Sequence, residues 1–127
     1  MKALTASVLS LALLMGCWGL FYCYSVQNLS DMINTCDQVI MPAVEEENWK
    51  AAEEAFRLQN ENWHRYRNAA LFFLDTRDIN DADSTFAKTL MYIKAEDLSN
   101  SSGELLSLRE QLKYLRESER ICLRNIL

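Results

Sequence analysis

Apolar residues occupy positions 3–24 without a single charge, then recur at helical spacing through Leu29, Met32, Ile33, Cys36, Val39 and Ile40. At the α-helical rise the first run spans a bilayer core of about 30 Å. The second predicts that the same helix continues as a stalk. Pro42 disfavours helical geometry at Met41, so a turn is expected between Met41 and Asn48. Beyond it, Trp49, Ala52, Phe56, Gln59, Trp63, Tyr66, Ala70 and Phe73 alternate spacings of three and four, the seam of a helix packed on partners, with Gln59 its one polar member. A third helix is expected from residue 79 to about residue 98, with Ile79, Ala82, Phe86, Leu90 and Ile93 inward and Asp75, Thr76 or Asp78 as its cap. Residues 99–103, "SNSSG", should break it. Ser101 with Glu104 reads as a capping box that opens a fourth helix carrying Leu105, Leu108, Leu112, Leu115, Cys122 and Ile126.

Short connections between such helices make neighbours antiparallel. The pattern therefore predicts an all-α chain: an N-terminal transmembrane helix over residues 1–24 that continues into an antiparallel up-down bundle of about four helices over residues 25–127. Counted down from a distal turn near residue 46, the second helix brings Leu71, Phe72, Phe73 and Leu74 back level with Tyr22 to Tyr24, where the fourth helix also ends. Leu71, Phe72, Leu74, Ile126 and Leu127 are thus the candidate interaction surface.

Composition supports helices over sheet, because three glycines and one proline in 127 residues are too few for the frequent turns that strands need. Charge orients the chain. Lys2 is the only charged side chain before Asp31, and acids dominate as far as Lys50, so the positive-inside rule places the N-terminus in the cytoplasm and the rest outside the cell membrane, as a single-pass protein. Trp18, Phe21, Tyr22 and Tyr24 suit the outer headgroup belt. The net charge of −5 disfavours nucleic acid as a partner.

The segment "LLMGCWGLFYCY" admits another reading, a lipoprotein signal cleaved before Cys17, which would then carry the lipid. Met15 is bulky for that motif, and the hydrophobic run continues past Cys17, so the uncleaved signal-anchor is the reading adopted. Cys17 and Cys23 then serve as small apolar residues of a membrane helix.

The order of these features is itself informative. A short start, one anchor, a stalk, the acidic "EEENWKAAEEAF", a further Trp at position 63, two more helices and a terminal "LRNIL" resemble the small Firmicutes family called domain of unknown function 4363 (DUF4363). Residues 48–56 and 123–127 match most closely. The resemblance covers essentially the whole chain and implies an anchored extracytoplasmic helical domain, with no activity attached.

Candidate chemistry is sparse. His64, the only histidine, has Glu61 and Asn60 as its nearest helical neighbours, a thin basis for acid–base catalysis. Metal-ligand spacings, Cys-x-x-Cys and phosphate loops are missing from the sequence, so neither an enzyme nor a cofactor is expected. Asp75, Asp78, Asp81 and Asp83 lack the glycine turn of a calcium loop and read as helix-capping acids. Cys36 and Cys122 should lie roughly 15 to 20 Å apart in height, too far for α-carbons that a disulfide needs within about 7 Å. Unpaired thiols, or an intermolecular bond through Cys36, are expected.

These readings lead to a non-enzymatic accessory subunit whose partners are the lipid bilayer and another membrane or envelope protein, with self-association left open. The alternative is an extracytoplasmic ligand-sensing bundle acting through a partner, with Trp63, His64 and Arg65 lining its pocket.

Overall fold

Residues Lys2–Glu45 form one helical rod of 44 residues, in a computed structural model that describes residues 1–126 and side chains as far as residue 119. The rod comprises α1 (Lys2–Thr35), a π-turn (Cys36–Ile40) and the short α2 (Met41–Glu45). Its first part is exposed, and from Ser25 onward one face is buried.

Pro42 does not break the rod at Met41 as its ring geometry suggests. Proline offers no N–H and its ring crowds the carbonyl one turn back. Here the preceding turn widens: the Met41 N–H reaches the Cys36 carbonyl, one residue farther than in an α-helix. That wider turn also changes the inward face. Cys36, Ile40 and Val44 point into the core, whereas Val39, expected there from uniform helical spacing, is 51% exposed.

Three further helices follow, α3 (Trp49–Ala70), α4 (Thr76–Lys94) and α5 (Leu98–Ile126), and no strand occurs among the described residues. The first turn falls within the expected interval. Glu47 adopts a left-handed conformation (φ 56°), the Asn48 N–H bonds Ala43 O, and the Asn48 side chain caps α3 by accepting from Ala51 N. The turn between α4 and α5 repeats this device: Glu96 has φ 55°, the Asp97 N–H bonds Tyr92 O, and Asp97 caps α5 by accepting from Asn100 N.

This second turn corrects two expectations. The break lies at residues 95–97, and Ser101 and Glu104 form no capping box, because Asp97 already caps the helix a turn earlier. Ser101 is instead fully buried inside α5, one turn before Leu105 on the same stripe. Gly103 is an interior helix residue. Among the cap candidates for α4, Asp75 takes the role by accepting from Arg77 N at 2.8 Å.

The four long elements close a ring in which α1 lies between α3 and α5, and α4 lies between α3 and α5 on the opposite side. Contacts between helices show the antiparallel register. As the first rod rises through Ser25, Met32 and Cys36, α3 falls through Tyr66 and Gln59. As it rises through Ser30 and Asp37, α5 falls through Arg116 and Arg109.

The core is aromatic at its centre. Trp63 stacks on Phe86 at 5.2 Å between ring centroids, and Phe56 packs on Phe86 at 5.7 Å. The α3 seam is buried from Ala52 to Ala70, with Trp49 partly exposed at one end and Phe73 beyond the helix at the other. In α4, Ile79, Ala82, Phe86 and Ile93 are buried as expected, Leu90 partly so. Thr85 and Thr89 share that face, their hydroxyls donating to carbonyls one turn back.

Two variants probe this construction by thermal unfolding of the full chain in detergent. Phe86→Ala removes the ring on which Phe56 and Trp63 pack and should lower stability by about 3–5 kcal/mol. Glu96→Gly relieves a left-handed side chain and should raise stability by about 1 kcal/mol; a loss instead would show that the Glu96 side chain holds the turn.

Candidate functional site

The foot of the bundle is built where α3 runs out. Helical bonding ends with Leu74 N–H on Ala70 O, and Leu71, Phe72, Phe73 and Leu74 turn the chain toward Asp75. Phe73 swings onto the first rod and stacks on Phe21 with centroids 4.1 Å apart and planes 17° from parallel. Tyr24 lies over Tyr66 at 6.3 Å. The returning turn therefore stands level with the upper end of the apolar segment, as the helical rise predicts.

Members of the candidate surface divide into three groups. Leu71 and Phe72 face outward, 37% and 86% exposed. Leu74 is partly buried against the core. Ile126 and Leu127 lie outside the residues whose side chains are described, as does Cys122.

Immediately above this turn lies a polar group that sequence reading passed over. Ser25 Oγ and Tyr66 Oη are 2.5 Å apart and both residues are fully buried. Ser25 also bonds the carboxyl of Glu119 from α5. A charged Glu119 only accepts, so Ser25 donates to it and Tyr66 donates to Ser25. Glu119 is 5% exposed, and its second oxygen, Oε2, has no partner among the described residues.

Burial pushes the Glu119 carboxyl up from 4.5 to about 7, against the lowering effect of the Ser25 bond. Burial likewise raises Tyr66. The signal for Glu119 was available: it follows Leu115 by one turn on the stripe that the sequence carried on to Cys122.

Other candidate chemistry is dispersed. Trp63 is fully buried with its indole N–H on Asp83 Oδ1 at 2.6 Å, while His64 and Arg65 face solvent, so the three residues line no common cavity. Asp83 is no cap: its other oxygen accepts from Arg67 Nε at 2.5 Å, tying α3 to α4. No cluster of three or more His, Cys, Asp or Glu suited to a metal ion occurs among the described residues. Cys36 is a buried free thiol beside Gln59 Nε2, pushed up by burial to about 11.

The family model described as Domain of unknown function (DUF4363) matches residues 20–126. The chain belongs to that family. The DUF4363 match begins at Leu20, so it takes in Phe21, Ser25, Tyr66, Phe73 and Glu119 and starts beyond Cys17. No curated protein and no solved structure matches the chain.

The raised carboxyl has a consequence for pH. Because the folded state holds the Glu119 proton more tightly than the unfolded chain, its contribution to stability is complete below about pH 4.5 and is lost as pH rises through about 7. Glu119→Gln keeps the shape without titrating. Its Tm should gain on that of the natural chain across this window, with the largest margin above about pH 7; a margin independent of pH would show that Glu119 does not titrate there.

Proposed function

We propose that this DUF4363 protein is a non-enzymatic, single-pass membrane protein whose extracytoplasmic bundle serves as an interaction or accessory subunit of a membrane or envelope complex. The observation that carries the reading is the exposed pair Leu71 and Phe72, standing beside the upper end of a helix long and apolar enough to cross a membrane. Exposed apolar residues that stand side by side, as Leu71 and Phe72 do, mark interaction surfaces where single ones do not. At this height the pair meets a neighbouring membrane protein together with the bilayer surface.

Two further features support an accessory role. The core around Trp63 is filled by the rings of Phe56 and Phe86, where a sensing bundle would open a pocket. The rod also connects apolar segment and bundle without a flexible joint, so the bundle holds a set orientation to whatever stands beside it.

Crosslinking in intact cells, followed by mass spectrometry of the membrane complex, tests this directly. A discrete crosslinked partner should be recovered with the natural chain and lost with Phe72→Glu, while the helical content and Tm of that variant stay unchanged. Equal recovery from both chains would remove the turn from the interface.

A further inference from the structure

Phe21, Phe73 and Leu74 wall a crevice of about 30 Å³ together with Trp18 and Tyr22, and Glu119 is the one acid among the described residues that line it. Glu119 lines this aromatic recess with a side chain that is 95% buried, and its Oε2, shut off from solvent, has no hydrogen-bond partner. An acceptor without a donor costs free energy, more so when it is charged. Among the described residues no basic side chain lines the recess. The described lining thus offers that carboxylate neither a donor nor a cation.

Aromatic faces around a carboxylate favour an ammonium group, which the ring quadrupoles attract as the carboxylate does. Size narrows the choice. The space takes a group about as large as a water molecule or two, which fits a primary ammonium and excludes the three methyls of a trimethylammonium. Location narrows it further, since Trp18, Phe21 and Tyr22 sit at the upper end of the apolar helix, where headgroups stand if that helix spans a bilayer.

We infer that this crevice binds the primary ammonium of an ethanolamine-type phospholipid headgroup, with Glu119 as its counter-ion and the surrounding rings as its walls. The inference rests on the membrane-anchored reading above. It gives the foot of the bundle a lipid contact distinct from the outward-facing Leu71 and Phe72. Burial disfavours the charged Glu119 carboxyl, so a bound ammonium would draw it back to the carboxylate.

The test uses the full chain in nanodiscs of phosphatidylglycerol mixed equally with phosphatidylethanolamine or with phosphatidylcholine, read by native mass spectrometry of retained lipid and by tryptophan emission. Phosphatidylethanolamine should be retained several-fold over phosphatidylcholine, and Glu119→Gln should abolish the preference with far-UV circular dichroism unchanged. Equal retention of the two lipids, or a preference that survives Glu119→Gln, would overturn the inference. So would an emission change produced by free ethanolamine in pure phosphatidylglycerol discs and not by the lipid, because the site would then serve soluble amines. Alkaline carbonate extraction separates the two failures. A chain released from membranes by carbonate defeats the anchored reading itself, whereas one that stays yet shows no lipid preference defeats this inference alone.

Discussion

The bundle depends on a helix that continues past a proline. Had the first rod ended at Met41, Ile40 and Val44 could not have shared one face, and α3 would have lost the upper part of the surface on which it packs. Continuity is achieved by one wide turn, in which the Met41 N–H bonds the Cys36 carbonyl and the extra residue makes room for the Pro42 ring. Gln59, the one polar residue of the α3 seam, reaches that region and donates to the Met32 carbonyl at 2.6 Å. A buried polar contact of this kind adds little net stability, but a shift of one turn would leave the amide unsatisfied. It therefore sets the register of α3 on the rod.

Register along the rest of the rod is held by similar means. Asp37 pairs with Arg109 and Ser30 accepts from Arg116, both tying the first rod to α5, while Asp83 holds Trp63 and Arg67 across α3 and α4. The pairs at Arg109 and Asp83 are partly exposed, so their energetic share is small beside that of the aromatic core. Their effect is to exclude sliding, which apolar side chains alone permit.

The foot of the molecule is arranged differently from its distal end. Two distal turns use the same left-handed glutamate and the same type of cap, and no carboxyl group is buried beside either of them among the described residues. At the foot, Ser25, Tyr66 and Glu119 are enclosed under an aromatic turn, and one carboxylate oxygen lacks a donor. Polar atoms are placed there against the usual economics of a core. Under the anchored reading this is also the level of the lipid headgroups, so one region combines the exposed rings, the buried acid and the boundary of the span.

Periodicity alone was sufficient for the helices and for most of their inward faces: the α3 seam from Ala52 to Ala70 and the α5 stripe from Leu105 to Leu115 are buried as their spacing requires. Helical rise alone was sufficient to return the Leu71 to Leu74 turn to the aromatic end of the apolar segment, because height in an antiparallel bundle is a count of residues; the stacking of Phe73 on Phe21 in particular came from the structure. The family resemblance was likewise legible in short stretches such as residues 48–56. Tertiary structure decided the rest. It kept the rod whole at Pro42, since a local bias against helix is outweighed by burial of Ile40 and Val44. It moved the last turn from residues 99–103 to residues 95–97, since two caps compete there and only the earlier one leaves Ser101 on the core side. It also brought Ser25, Tyr66 and Glu119 together from three helices, a grouping that no local pattern encodes because each residue is unremarked until its neighbours exclude water.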